Sequence, residues 1–413
     1  MQVRGSRRLL GAVVLASGLA LTSCTATPDA RSATPAASGD GVLRLGLLLD
    51  STGDSQYLND AQRAAVVLAV QQANAAGGFA GKPVELLPAE IGTDTATGAR
   101  NLAKAGADAV IGTTDSSRAP KAIDVLSTAK IPLISPANAS AALSTYRSGG
   151  FYFRTAAPEG AEGAALIELA RHSGAKSVAI LRQAGGKAEA DAASASARAA
   201  GLTESGSAEF TGTAIGSAAA GAKGADAVVV IAQGDGQPIL AATADAGIAG
   251  SKLLLSSGLI GHYGSALANR ALEGTRAVVP GVFPTPEFQS ALLEHSPGLK
   301  DLTFAAEAYD AASLAVLAAG EAKDDGGASI AAKLTGVSGG TVPGRSPMEA
   351  REKCTGLPDC LARQARGATV DYDGMSGPIA FDSHGDITTA RFLEFDFGAD
   401  NQPHRVGEVT VAR

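Results

Sequence analysis

The sequence predicts an α/β protein built as two doubly wound, Rossmann-like lobes, and three observations carry that expectation. From Val42 onward, short apolar runs of β type alternate with longer amphipathic stretches. The alternation comes in two consecutive blocks, divided near Phe151-Tyr152-Phe153-Arg154. The roughly 370 residues that follow the N-terminal segments exceed what one hydrophobic core usually supports.

In the first block, Leu43 to Leu49 reads as a buried strand closed by Asp50-Ser51-Thr52-Gly53, and Asp60 to Ala75 as a helix stopped by Gly77-Gly78. Pro83 to Leu87 is a second strand and Thr95 to Ala105 a second helix. Ala107 to Gly112, Arg118 to Thr128 and Ile131 to Ser135 give strand, helix and strand again. The second block runs through helix Pro158 to His172, strand Ser177 to Leu181 and the Ala-rich helix Lys187 to Ala200. Strand Ala225 to Ile231, helix Pro238 to Ala246 and strands Leu253 to Ser256 and Ala277 to Val282 complete it. Pro286 to His295 and Thr303 to Ala319 are helical and suggest a return to the first lobe, whereas Gly326 to Arg345 reads as loop. Such alternation implies parallel sheets covered by helices on both faces.

The N-terminus sets the expected compartment. Arg4, Arg7 and Arg8 precede the apolar run Leu9 to Leu21, and small residues lead into Cys24, the pattern of a cleaved secretory signal over residues 1–23. The apolar run is too short to span a bilayer core of ~30 Å. Leu21-Thr22-Ser23-Cys24 resembles the bacterial lipobox, which implies lipidation at Cys24 and anchoring at the outer face of the cytoplasmic membrane. Ser6-Arg7-Arg8-Leu9-Leu10 faintly resembles a twin-arginine signal, so the Sec and Tat routes both stay open. Residues 24–41 are rich in Thr, Ala, Pro, Ser and Gly without apolar periodicity and read as a tether with a span of ~23 Å.

Composition and motifs exclude several functions. A net charge of −7 with scattered Lys and Arg argues against a nucleic-acid surface. No nucleophile elbow, P-loop, zinc helix or Cys-x-x-Cys pair occurs, and Gly234-Asp235-Gly236 lacks the spacing of a dinucleotide fingerprint. No enzyme chemistry and no cofactor are indicated. Cys354 and Cys360, in an exported chain, read as a small-loop disulfide. A metal site, the rival reading, needs two more ligands, and the five histidines show no ligand spacing.

In open parallel sheets ligands bind beyond the carboxyl ends of the strands. From the polar residues in those loops, the candidate ligand contacts are Gln56, Tyr57, Ser116, Ser117, Asn138, Gln183, Gln233, Asp235 and Tyr263.

Several segments, in order along nearly the whole mature chain, resemble the class I periplasmic solute-binding family of branched-chain amino-acid type. They are Ser51-Thr52-Gly53 with Asn74-Ala75-Ala76-Gly77-Gly78, Gly106 to Gly112 with Ile131 to Pro136, and Phe153-Arg154-Thr155-Ala156. Phe304 to Ala311 and Tyr372-Asp373-Gly374-x-Ser376-Gly377-Pro378 also fit. The resemblance implies two lobes joined by a three-crossover hinge, a ligand trapped by closure, and an ABC permease with paired ATPases as partners. It divides the chain into lobe 1 (42–155 plus about 283–382) and lobe 2 (about 156–282 plus 383–413).

The implied ligand contacts match unevenly. Ser116 sits at the position of the family's carboxylate-binding serine, but Ala139 replaces an expected hydroxyl residue and Lys187 an expected aromatic. Gly258 stands where an acidic residue would pair with the ligand ammonium, which argues against an α-amino-acid ligand. Asp235 is either its substitute from a neighbouring loop or an exposed turn residue. A ligand-sensing or accessory envelope lipoprotein on the same fold is the alternative function.

Overall fold

The computed structural model of the chain describes residues 1–2, 33–52, 56–92, 94–234, 236–341 and 351–412. The expected signal segment, Cys24 and Asp235 lie outside the described residues.

The first lobe opens with β1 (Arg44–Leu49), α1 (Tyr57–Ala75), β2 (Glu85–Leu86), β3 (Glu90–Ile91) and α2 (Thr95–Lys104). It continues through β4 (Ala109–Gly112), α3 (Ala119–Thr128), β5 (Leu133–Ser135) and β6 (Tyr152–Arg154). The strands are all parallel in the order β2-β1-β4-β5-β6, with β3 also paired to β1. Leu45, Leu47 and Leu49 join one core cluster while Leu48 joins another on the opposite face. Both faces are covered, which is why β1 reads as an unbroken apolar run.

The second lobe contains α4 (Glu159–His172), β7 (Ser177–Arg182), α5 (Lys187–Ala199), β8 (Thr203–Glu204), β9 (Ala208–Glu209) and α6 (Ile215–Ala222). β10 (Ala227–Ile231), α7 (Gln237–Asp245), β11 (Leu253–Leu255) and β12 (Arg276–Pro280) follow. The chain then returns to the first lobe with α8 (Pro286–His295) and α9 (Ala305–Ala322), both packed on α1. There it adds α10 (Gly327–Val337), β13 (Glu352–Thr355), α11 (Leu357–Gln364), β14 (Val370–Gly374) and β15 (Gly377–Pro378). Finally β16 (Thr389–Phe397) and β17 (Pro403–Ala412) extend the second sheet antiparallel, giving β8-β7-β10-β11-β12-β16-β17. The chain thus passes between the lobes three times, after β6, β12 and β15.

Two expectations are corrected. The segment from Gly326, read as loop, contains helix α10, because Ile330, Ala331, Leu334 and Val337 form a buried stripe on α9 that outweighs the Gly and Ser content. The end of the expected tether is docked, with the Gly39 N–H on the Asp324 carboxylate and the Asp40, Gly41 and Val42 N–H groups on that of Asp325. The Cys354–Cys360 disulfide is present, tying β13 to α11 with its Cα atoms 5.2 Å apart.

The hinge carries its own polar lock. Arg154, fully buried at the first crossover, donates from Nε to Asp386 of the third at 2.7 Å. Its other nitrogens donate to the Asn138 and Ser140 carbonyls and the Ser144 hydroxyl. Gly385 has φ +78°, and a Cβ there would lie 2.3 Å from the Tyr152 carbonyl oxygen, so only glycine lets the two crossovers touch.

Candidate functional site

A cavity of about 520 Å³ lies between the lobes, within the usual size for small-molecule sites. The first lobe and hinge contribute Ala139, Thr303 and Phe304, and the second lobe most of the rest, including Ile231, Ala232 and Val279. Its charged lining is entirely acidic: Glu159, Glu162 and Glu189, with no basic residue among the described lining.

Small residues place these carboxylates. α4 and α5 pack closely because Gly163 faces the α5 backbone, where a Cβ would fall 2.3 Å from the Glu189 carbonyl. Glu162 lies in the first turn of α4 and Glu189 in the first turn of α5, both buried. The Ser257 backbone N–H donates to one Glu162 oxygen, and the Ser257 hydroxyl to the other at 3.1 Å. Glu159 accepts the Ala141 N–H at 3.1 Å. Glu189 Oε1 is buried without a partner. Burial pushes both the Glu162 and Glu189 carboxyls up, and the charge of Glu159 beside them adds to it. The two helix N-termini favour these carboxylates by about 1 kcal/mol each. Burial without a cationic partner favours the protonated acid, and Glu189 is pushed up to about 9.

Several backbone donors in the facing loops of the first lobe are already used within the loops themselves. Thr114 and Asp115 N–H groups go to the Asp50 carboxylate, and those of Ala139 and Ser140 to the Ser116 hydroxyl oxygen. Asp50 is itself buried and its carboxyl raised by that burial.

The residues expected from sequence are placed as follows. Gln183 and Gln233 line the cavity, and Gln183 Oε1 accepts the Gln233 N–H at 3.0 Å. Ser116 stands behind Ala139 and organises that loop, while the Ser117 N–H and hydroxyl both turn onto Asp115. Gln56 and the exposed Tyr57 begin α1 and do not line the cavity. Asn138 is fully buried in the loop framework, its amide donating to the Thr114 carbonyl and accepting from Thr113 and Tyr152 hydroxyls. The Tyr263 hydroxyl donates to the Leu259 carbonyl, and its ring packs near Phe397. Lys187 is exposed and paired with Asp191.

The position of the missing family carboxylate has a steric explanation. A Cβ on Gly258 would lie 2.3 Å from the Ala232 carbonyl oxygen, so this turn excludes any side chain. A carboxyl group nevertheless lies beside this turn, because Glu162 of α4 bonds to the adjacent Ser257. Glu162 and Glu189 are not among the residues expected from sequence, because they sit at helix starts and not in the loops beyond the strand ends. A signal was present: Glu162, Leu166 and Ala170, and likewise Glu189, Ala193 and Ala197, share four-residue spacing and are all buried.

Two α/β lobes, three crossovers and a cavity between them define a bilobed solute-binding protein. Residues 42–395 match the family described as periplasmic binding protein, and the chain belongs to that family. Membership makes it an extracytoplasmic solute-binding protein and not an enzyme. Solved structures share the fold. The substrate-binding protein LivJ from Streptococcus pneumoniae in complex with isoleucine is 20% identical, with TM-score 0.58, covering 90% of this chain and 100% of its own. An ABC transporter substrate-binding protein from Desulfitobacterium hafniense in complex with leucine is 20% identical, with TM-score 0.60, covering 88% and 99%. An R. palustris solute-binding protein in complex with 4-hydroxybenzoate is 16% identical, with TM-score 0.56, covering 89% and 97%. No curated protein matches the chain. Among the described residues, no helix is long and apolar enough to cross a membrane.

Proposed function

We propose that the chain is a lipid-anchored receptor that captures a small polar solute by hinge closure and delivers it to an ABC permease driven by paired ATPases. The observation that carries this reading is the cavity of about 520 Å³ at the mouth of two lobes connected by three crossovers. A site of that size can bury most of a small molecule, and closure would desolvate the few polar contacts that set specificity. Of the sequence-predicted contacts, Gln183 and Gln233 line the cavity and support a part in ligand binding, with Ser116 holding the Ala139 loop beside it. The anchor is assigned to Cys24, outside the described residues, on the lipobox-like Leu21-Thr22-Ser23-Cys24.

Thermal unfolding against a panel of amino acids, amides, polyols, sugars, organic acids and amines tests the reading. A ligand at ~100 times its Kd stabilises the folded state by ~2.7 kcal/mol, so a true solute raises Tm by at least roughly 2 °C. The bound solute is recovered chemically unchanged. No saturable shift from any class, or turnover of the solute, contradicts the reading. In the same host, Cys24→Ala should release the protein from the membrane fraction, and retention of a processed variant there contradicts the anchor.

A further inference from the structure

We infer that the solute is a small organic cation, an ammonium or guanidinium on an apolar body with no carboxylate of its own. This rests on the solute-binding reading above and names the chemical class the cleft accepts. Three observations converge. The charged lining is Glu159, Glu162 and Glu189, with no basic residue among the described lining. Glu189 is 4% exposed and its Oε1 has no hydrogen-bond partner. That oxygen is a buried acceptor in a cavity wall, and a charged N–H donor is the group that satisfies it most fully.

The third observation separates a cation from a zwitterion. A ligand carboxylate needs donors, yet the first-lobe N–H groups of Thr114, Asp115, Ala139, Ser140 and Ala141 already donate to Asp50, Ser116 and Glu159. An anion entering the cleft would face three carboxyl groups with no cation to offset them. Ile231, Ala232, Val279 and Phe304 supply an apolar wall for the ligand's carbon body. Burial raises the Glu162 and Glu189 carboxyls, so a bound cation would displace protons from them as it pairs.

Isothermal titration at pH 8 with agmatine, 1,4-diaminobutane and choline as cations, and leucine, benzoate and glucose as controls, tests the inference. At least one cation should bind saturably, at least 30-fold tighter than every control. Glu189→Gln should weaken that binding at least 10-fold, and Glu162→Gln independently should do the same. Unfolding curves for each variant confirm that it is folded. Preferential binding of leucine, benzoate or glucose overturns the cation assignment while leaving solute binding intact. Cation binding untouched by both variants overturns the role of these carboxylates. Failure of all three cations also overturns the assignment, and the broader panel then decides separately whether the protein binds a solute at all.

Discussion

Glu307 shows how much charge this molecule keeps away from water. It lies in the first turn of α9 and is buried, and burial first, with help from the charge of Asp310, pushes its carboxyl up to about 7. In the unfolded chain such an acid ionises above its ordinary value of 4.5, while the folded protein holds the proton to about 7. The folded state therefore binds more protons across that window, and stability falls as pH rises through it. Glu307→Gln removes this titration. Its stability advantage over the parent should open between pH 4.5 and 7 and reach roughly 2–3 kcal/mol by pH 7.5. Urea unfolding at the two ends of the window measures it, and an unchanged difference between them contradicts the assignment. None of this was legible beforehand. Glu307, Glu162 and Glu189 look like ordinary solvated helix charges until the topology shows what packs against each.

At the scale of elements, much of the fold could be read in advance. Strands β1, β4, β10 and β11 are short apolar runs bounded by turn residues, and buried parallel strands can hardly look otherwise. Helix α10 could not be read from its Gly and Ser content, because its partner α9 supplies the stabilisation. The family-like segments turn out to meet one another. Asp310 of α9 accepts from the Tyr372 hydroxyl at 2.6 Å and from the Ser376 N–H and hydroxyl at 2.8 and 2.6 Å. These motifs brace the hinge, and of the Phe304 to Ala311 segment Phe304 lines the cavity. Arg154 and Asp386 form its most isolated ion pair, with side chains 0% and 1% exposed. Losing one partner strands the other charge in the interior. Asp386→Ala should therefore cost about 3–5 kcal/mol in urea unfolding. A loss under about 1 kcal/mol, typical of surface pairs, would show that the pair does not brace the crossovers.

For the whole molecule, the division of labour between lobes explains why the candidate contacts were only partly legible. Loops beyond the strand ends are found from periodicity alone, and Gln183 and Gln233 came from that rule. The acidic wall comes from helix starts on the second lobe, which the strand-end rule does not cover. Closure would bring this wall towards the Ser116 loop, so ligand capture should change molecular dimensions as well as stability. Small-angle X-ray scattering of the purified protein, with and without a saturating concentration of its tightest-binding solute, tests that claim most directly. The account predicts a smaller radius of gyration and maximum dimension in the liganded sample, reversed when the solute is dialysed away. Superimposable curves at proven saturation would contradict capture by hinge closure.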